Sequence, residues 1–285
     1  MSMTISLKKF RAAVDKIKDP RDSALIKFSY LMAARNSEIL TKTSPWDFLH
    51  NASKPYGTFL KWSFEDYEVR PATEEKPAVM EKVFLITSAV AKRGKTMKKQ
   101  SEETTIELEK KEVIEALMKF NQKELLEKWE TGEVEIDPLL IKALLGRIIL
   151  KTVALPCSRL YEPWTLDILK FFAARAKKKK ANDMVLGFDI TRKTFWQLLR
   201  ENLPEIFPKK SNRTIKNVLR HYRITHLISY YTFQPYDISA ITGWSLRTSY
   251  SGLGVEVSPM LDHYAHLSWR NYFPKLLKPL NQFTK

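Results

Sequence analysis

The chain has 285 residues, 44% of them hydrophobic and 12% aromatic, which suits a sizeable buried core and excludes global disorder. A formal net charge of +16 favours polyanionic partners, nucleic acid first among them, although ribosomal and membrane-surface proteins share that signature. A lone cysteine, Cys157, excludes an internal disulfide framework and a cysteine zinc cluster, and no apolar run is long enough for a membrane span or a signal peptide.

In chain order, "DSALIKFSYLMAARNSEILTK" (22–42) predicts a helix with Ala24, Leu25, Phe28, Leu31 and Met32 on its buried side. Arg35 falls near its end or just beyond. A loop with Pro45, Asn51, Pro55 and Gly57 follows. "TFLKWSFEDYEV" and "KVFLITSAVAKRGK" are rich in β-branched and aromatic residues and predict strands, the second running into the basic turn Lys92, Arg93, Gly94, Lys95.

The character then changes. From Lys98 to Gly146 there are eight Lys or Arg and twelve Asp or Glu, net −4, so the remainder carries +20 to give the total of +16. "SEETTIELEKKEVIEALMKFNQKELLEKWE" predicts a charged amphipathic helix with Ser101 or Thr104 as its cap, and "DPLLIKALLGRIIL" a second helix that merges into a strand at "RIILKTVALP". This acidic block at about 98–146 reads as a helical insertion that opens a β-hairpin. Further helices are predicted at "PWTLDILKFFAARAKKKK", "TRKTFWQLLRENL", "NVLRHYRITHL", "YDISAITGWS" and "SPMLDHYAHLSWRNYF". The predicted class is α+β, mainly helical, with a small antiparallel sheet.

In the "NVLRHYRITHL" helix, Val218, Leu219, Tyr222, His226 and Leu227 recur at helical spacing, and Arg220 interrupts an otherwise apolar stretch. Such an arginine either reaches out to solvent or meets an anion in a site. Four segments together bear on that choice: "AARNSEIL" with Arg35 and Glu38, "LRHYRITHL" with Arg220, "ITGWS" with Gly243 and Trp244, and "MLDHYAHL" with Tyr264 and His266. In that order they resemble the boxes of the tyrosine recombinase (integrase) family, most narrowly the integrases of archaeal viruses and plasmids. The resemblance covers roughly residues 20–270.

It implies metal-free cleavage and rejoining of DNA through a covalent 3′-phosphotyrosine. Tyr264 would be the nucleophile, with Arg35 and Arg220 as the fixed cations that neutralise the phosphorane-like transition state. Lys92, with Lys95 as the alternative, would protonate the leaving 5′ oxygen. Trp244 would donate its indole N–H to the phosphate, and Glu38 would anchor the Arg220 region. No cofactor and no metal are expected, because His263 and His266 stand without a third nearby ligand.

The chain departs from the family pattern at several points. Asn217 stands where the family's second box has histidine, and His221, about 100° round the helix from Arg220, is not a ready substitute. Twenty residues separate Trp244 from Tyr264, so "SYSGLGVEVSP" reads as an insertion and Tyr250 is a rival nucleophile. Only about thirty residues precede Arg35, so the expected organisation is one catalytic domain over 1–285 without an N-terminal DNA clamp domain. The implied partner is double-stranded DNA, with four protomers on two duplexes, in the cytoplasm or at its nucleoid. Alternatives are a DNA-binding relative that has lost catalysis, a type IB topoisomerase-like nicking and resealing enzyme, and a generic basic RNA-binding protein.

Overall fold

The computed structural model describes residues 5–40, 61–91, 110–119, 123–133, 148–178, 186–207, 217–243 and 268–283. It is an α+β fold, mainly helical, with one small antiparallel sheet. The chain divides into two compact units, Met1–Ser88 with Lys151–Lys285, and Ala89–Leu150. Among the described residues, no helix is long and apolar enough to cross a membrane.

The first unit is organised around α2 (Pro20–Leu31). Asp19 caps it, its carboxylate accepting the N–H groups of Arg21 at 2.8 Å and Asp22 at 2.9 Å, and Pro20 fits the first turn, where no N–H is needed. Every residue from Ala24 to Leu31 is buried, so this helix has no solvent face to speak of. It packs against α1 (Leu7–Asp15), α6 (Pro163–Lys178), α7 (Arg192–Asn202) and α8 (Val218–Tyr231). The helix predicted over 22–42 is therefore shorter. It stops at Leu31 because Ala33 turns left-handed (φ +45°), and a separate turn of helix, α3 (Asn36–Ile39), begins after Arg35.

The sheet has the order β1–β2–β3, from Lys61–Arg70, Val79–Ala91 and Ile148–Pro156. Strand β1 runs antiparallel to β2, pairing Lys61 with Thr87 through to Glu68 with Met80. On the other edge of β2, the Thr87 and Thr152 hydroxyls meet at 2.9 Å and Cys157 N–H donates to Lys82 O at 2.9 Å. Val83 to Ile86 of β2 and Val153 to Leu155 of β3 are buried. Strands covered on both faces lose the polar alternation of a half-exposed sheet. The sequence patterns for all three strands and for α6, α7 and α8 hold as elements. Three elements complete the unit: α9 (Pro235–Thr242), α10 (Trp269–Leu276) and a final 3₁₀ turn, Leu280–Phe283. In the second unit, the described helices are α4 (Lys110–Lys119) and α5 (Lys123–Glu130), which pack on each other.

An aromatic and ionic network fixes α1 to the central helix. The Arg11 guanidinium grips Glu162 with two hydrogen bonds, 2.9 and 2.5 Å, while stacking 4.4 Å from the Trp164 ring centroid. Beside it, His226 Nδ1 lies 2.8 Å from the Tyr30 hydroxyl and Nε2 lies 2.8 Å from Ile5 O. A neutral ring satisfies both contacts, with the Tyr30 hydroxyl donating to Nδ1 and the Nε2 proton donated to the Ile5 carbonyl. Burial, with Arg223 and Arg11 close by, pulls this imidazole down to about 4.

The unfolded chain thus takes up the His226 proton near its ordinary value, well before the folded protein does. Stability should fall as pH drops from about 6.5 to about 4, by about 3 kcal/mol from this residue. Urea unfolding at a series of pH values measures that slope, and His226→Gln should lose its share of the acid-side decline.

Candidate active site

The end of α2 creates acceptors that need cations. Ala33 N–H donates to Tyr30 O at 3.0 Å and Ala34 N–H reaches back to Ser29 O at 3.3 Å, the paired bonds of a Schellman stop. The carbonyls of Met32 and Ala33 then project beyond the helix, at its negative dipole end. Lys151 Nζ donates to Met32 O at 3.1 Å, and Arg220 Nη1 donates to Ala33 O at 2.7 Å. Arg220 Nη2 also donates to Thr242 O at 3.2 Å, the last carbonyl of α9 before Gly243 turns left-handed at φ +66°. One guanidinium thus closes the carboxyl ends of two chain segments, and it is 4% exposed.

Glu38 sits among these cations. Its Oε2 accepts from Lys151 Nζ at 2.7 Å, its Oε1 accepts the Arg35 backbone N–H at 3.1 Å, and Oε1 lies 3.6 Å from Arg220 Nη1. Burial works against this carboxylate, but Lys151 and Arg220 outweigh it and hold the group below its ordinary value. Burial pulls Lys151 down to about 8 despite Glu38, and repulsion from Arg220 and Arg35 adds to that effect. Arg220 is likewise drawn down to about 10, by burial first and by Arg35 next. Arg35, partly exposed at the start of α3, therefore lies within electrostatic reach of both. Among the described residues, Lys151 and Arg220 face the Glu38 carboxylate and Arg35 lies within electrostatic reach of both cations, an excess of positive charge that suits an anion such as a phosphodiester.

Of the sequence-predicted residues, Arg35, Glu38 and Arg220 come together here. Asn217 lies at the rim in a structural role: in left-handed backbone (φ +58°) it precedes α8, and its Oδ1 accepts the Asn36 N–H at 3.1 Å. That bond ties the start of α8 to α3. His221 is exposed on α8, outside the cluster. Lys92, Lys95, Trp244, Tyr250 and Tyr264 lie outside the described residues, as do His263 and His266.

Lys151 is the residue that the sequence reading passed over. Its signal was a lysine in "ILKTVALP", at the same strand parity as Val153 and Leu155. A cation at an inward strand position needs a buried partner, and Glu38 supplies one. A second unheralded group is Arg223, 1% exposed, one turn along α8 from Arg220. Its guanidinium carbon lies 5.1 Å from the Tyr30 ring centroid and 5.8 Å from that of Tyr231.

Comparison with protein-family models, curated proteins and solved structures finds no match for the chain.

Removing the carboxylate would leave Lys151 and Arg220 as buried cations facing each other. Glu38→Ala should therefore cost about 3–5 kcal/mol, the range for breaking a buried ion pair from one side. The midpoint of urea unfolding at neutral pH measures this, and a change below 1 kcal/mol would place the pair outside that class.

Proposed function

We propose that the protein is a DNA strand-cleaving and rejoining enzyme of the tyrosine recombinase kind, working without metal or ATP. The observation that supports this most is the Arg220 guanidinium, buried and braced by Ala33 O, Thr242 O and Glu38, within electrostatic reach of Arg35. A guanidinium stays charged under burial that would neutralise an amine, and its fork of N–H groups matches the non-bridging oxygens of a phosphodiester. Fixing two of them before the reaction removes the cost of arranging charge as the transition state forms.

In the proposed reaction the Tyr264 phenol oxygen attacks phosphorus and gives up its proton, and the bond from phosphorus to the 5′ oxygen breaks. Lys92 delivers a proton to that departing oxygen. The product is a 3′-phosphotyrosine, and a 5′ hydroxyl from a partner strand reverses the chemistry to rejoin DNA. Bond energy is kept in the phosphotyrosine, so no nucleotide cofactor enters. Double-stranded DNA is the proposed partner, in keeping with the net charge of +16, and strand exchange would engage four protomers on two duplexes.

A second reading has its own support. The Asn217 carboxamide oxygen is engaged by Asn36 N–H, so position 217 carries no group able to take and return a proton. A DNA-binding relative without cleavage would be built this way.

The deciding experiment uses negatively supercoiled plasmid in EDTA, stopped with SDS and scored for relaxation and for a covalent protein–DNA adduct. Wild type should form the adduct, Tyr264→Phe should abolish it, and Tyr250→Phe should leave it in place. Loss in Tyr250→Phe alone moves the nucleophile to that position. No adduct with any of the three, while plasmid binding persists, favours the binding-only reading.

A further inference from the structure

The Lys151–Glu38 pair lies behind Arg220, and its geometry invites a role beyond holding the fold. Lys151 is fully sealed, bonded to Glu38 Oε2 and Met32 O, while the other oxygen of the same carboxylate stands 3.6 Å from Arg220 Nη1. That separation exceeds a charge-assisted hydrogen bond by about 0.8 Å. Glu38 is thus shared unequally: closed on the lysine, and held just short of the arginine. Arg220 meanwhile spends its strong contact on Ala33 O, at 2.7 Å.

We propose that Lys151 is a positioning residue of the anion site: its ammonium group occupies Glu38, and so keeps that carboxylate from drawing Arg220 out of its phosphate-facing pose. The inference rests on the reading of Arg35 and Arg220 as phosphate ligands. Without the lysine charge, the Glu38 carboxylate has, among the described residues, Arg220 and the Arg35 backbone N–H to balance it. Closing the 3.6 Å gap then becomes the favourable move. It shifts the guanidinium toward Glu38 and internally neutralises a charge that would otherwise meet DNA.

Among the described residues, the charged groups facing Lys151 are Glu38 and Arg35 around α3 and Arg220 from α8. On the α10 side, the Tyr272 hydroxyl takes the Ala154 N–H at 2.9 Å and donates to Thr152 O at 3.2 Å. Burial raises that phenol far above its ordinary value, so it does not titrate with the lysine. Loss of a proton near pH 8 therefore falls on Lys151, which gives the pair a signature in pH.

The test measures binding of a fluorescent DNA duplex at fixed salt, from pH 6.5 to 8.8, with the whole 285-residue chain. Arg220→Ala at pH 7 defines the arginine's share, expected to be roughly tenfold in affinity. In wild type that share should vanish as pH rises through about 8, leaving the affinity of Arg220→Ala. Lys151→Met should bind as weakly as Arg220→Ala at every pH. Adding Glu38→Gln to Lys151→Met should restore binding and leave it independent of pH, because no carboxylate is left to capture the arginine.

A role confined to fold stability predicts the opposite, since the double variant would then be no better than the single. That result overturns the proposal, and so does a wild-type share that is constant across the pH range. If Lys151→Met does not fold, Glu38→Gln alone decides: its arginine share must persist from pH 7 to 8.8, below the range in which Arg220 itself loses its proton. If Arg220→Ala binds like wild type at pH 7, the phosphate reading itself fails, an outcome distinct from failure of the lysine's role.

Discussion

One buried carboxylate organises the candidate site. Glu38 gathers a lysine from the third strand, an arginine from α8 and the backbone of Arg35 into a volume with almost no solvent. Because Arg220 also bonds Ala33 O and Thr242 O, the same cluster joins the end of α2, the start of α3, β3, the head of α8 and the end of α9. Breaking into it at any one point exposes charge of the wrong sign to a low-dielectric interior. That is a steeper cost than losing a contact between apolar side chains of similar size.

A second ionic network, on the α1 side, is built on different terms. There Arg11 and Glu162 satisfy each other with two bonds, and the Trp164 ring covers the guanidinium. The pair is neutral as a unit and asks for no ligand. In the Glu38 cluster, among the described residues, two cations face one carboxylate and a third, Arg35, lies close to both, an arrangement that would favour a negatively charged ligand. The contrast between a closed pair and an open cluster argues for one as scaffold and the other as site.

Much of this was visible in the sequence. The β-branched and aromatic content of "TFLKWSFEDYEV" and "KVFLITSAVAKRGK" points to the first two strands, and the helical patterns of "PWTLDILKFFAARAKKKK", "TRKTFWQLLRENL" and "NVLRHYRITHL" point to α6, α7 and α8, within a few residues of their observed bounds. Arg220 stood out because charge inside an apolar run demands an explanation, and Arg35 and Glu38 because their segment resembles the arginine box of the integrases. The end of α2 was not legible, because the stop depends on Ala33 adopting left-handed backbone, which Gly or Asn would have advertised and alanine does not. Lys151 was hidden for a related reason. A single lysine in a strand ordinarily marks an outward face, and only the pairing with Glu38, 113 positions away in the chain, makes it inward. Asn217 read as a departure from a proton-transfer position, whereas its carboxamide and its left-handed backbone are both used to join α8 to α3.

The placement of Lys151 just after the second unit has a consequence for how the protein reaches its native state. Strand β3 sits beside β2 in the sheet, yet the 56 residues of 92–147 separate the two strands, most of the second unit. Closing so long a loop costs chain entropy that grows with its length, but a segment that collapses on its own first shortens the effective loop. Early folding of the second unit would thus bring Lys151 to Glu38 sooner. Until it does, the Glu38 carboxylate lacks its lysine partner, so completing the charged cluster waits on closure of that loop. A chain held before that step would lack the Lys151–Glu38 pair, and with it the tie between β3 and the segment that follows α2.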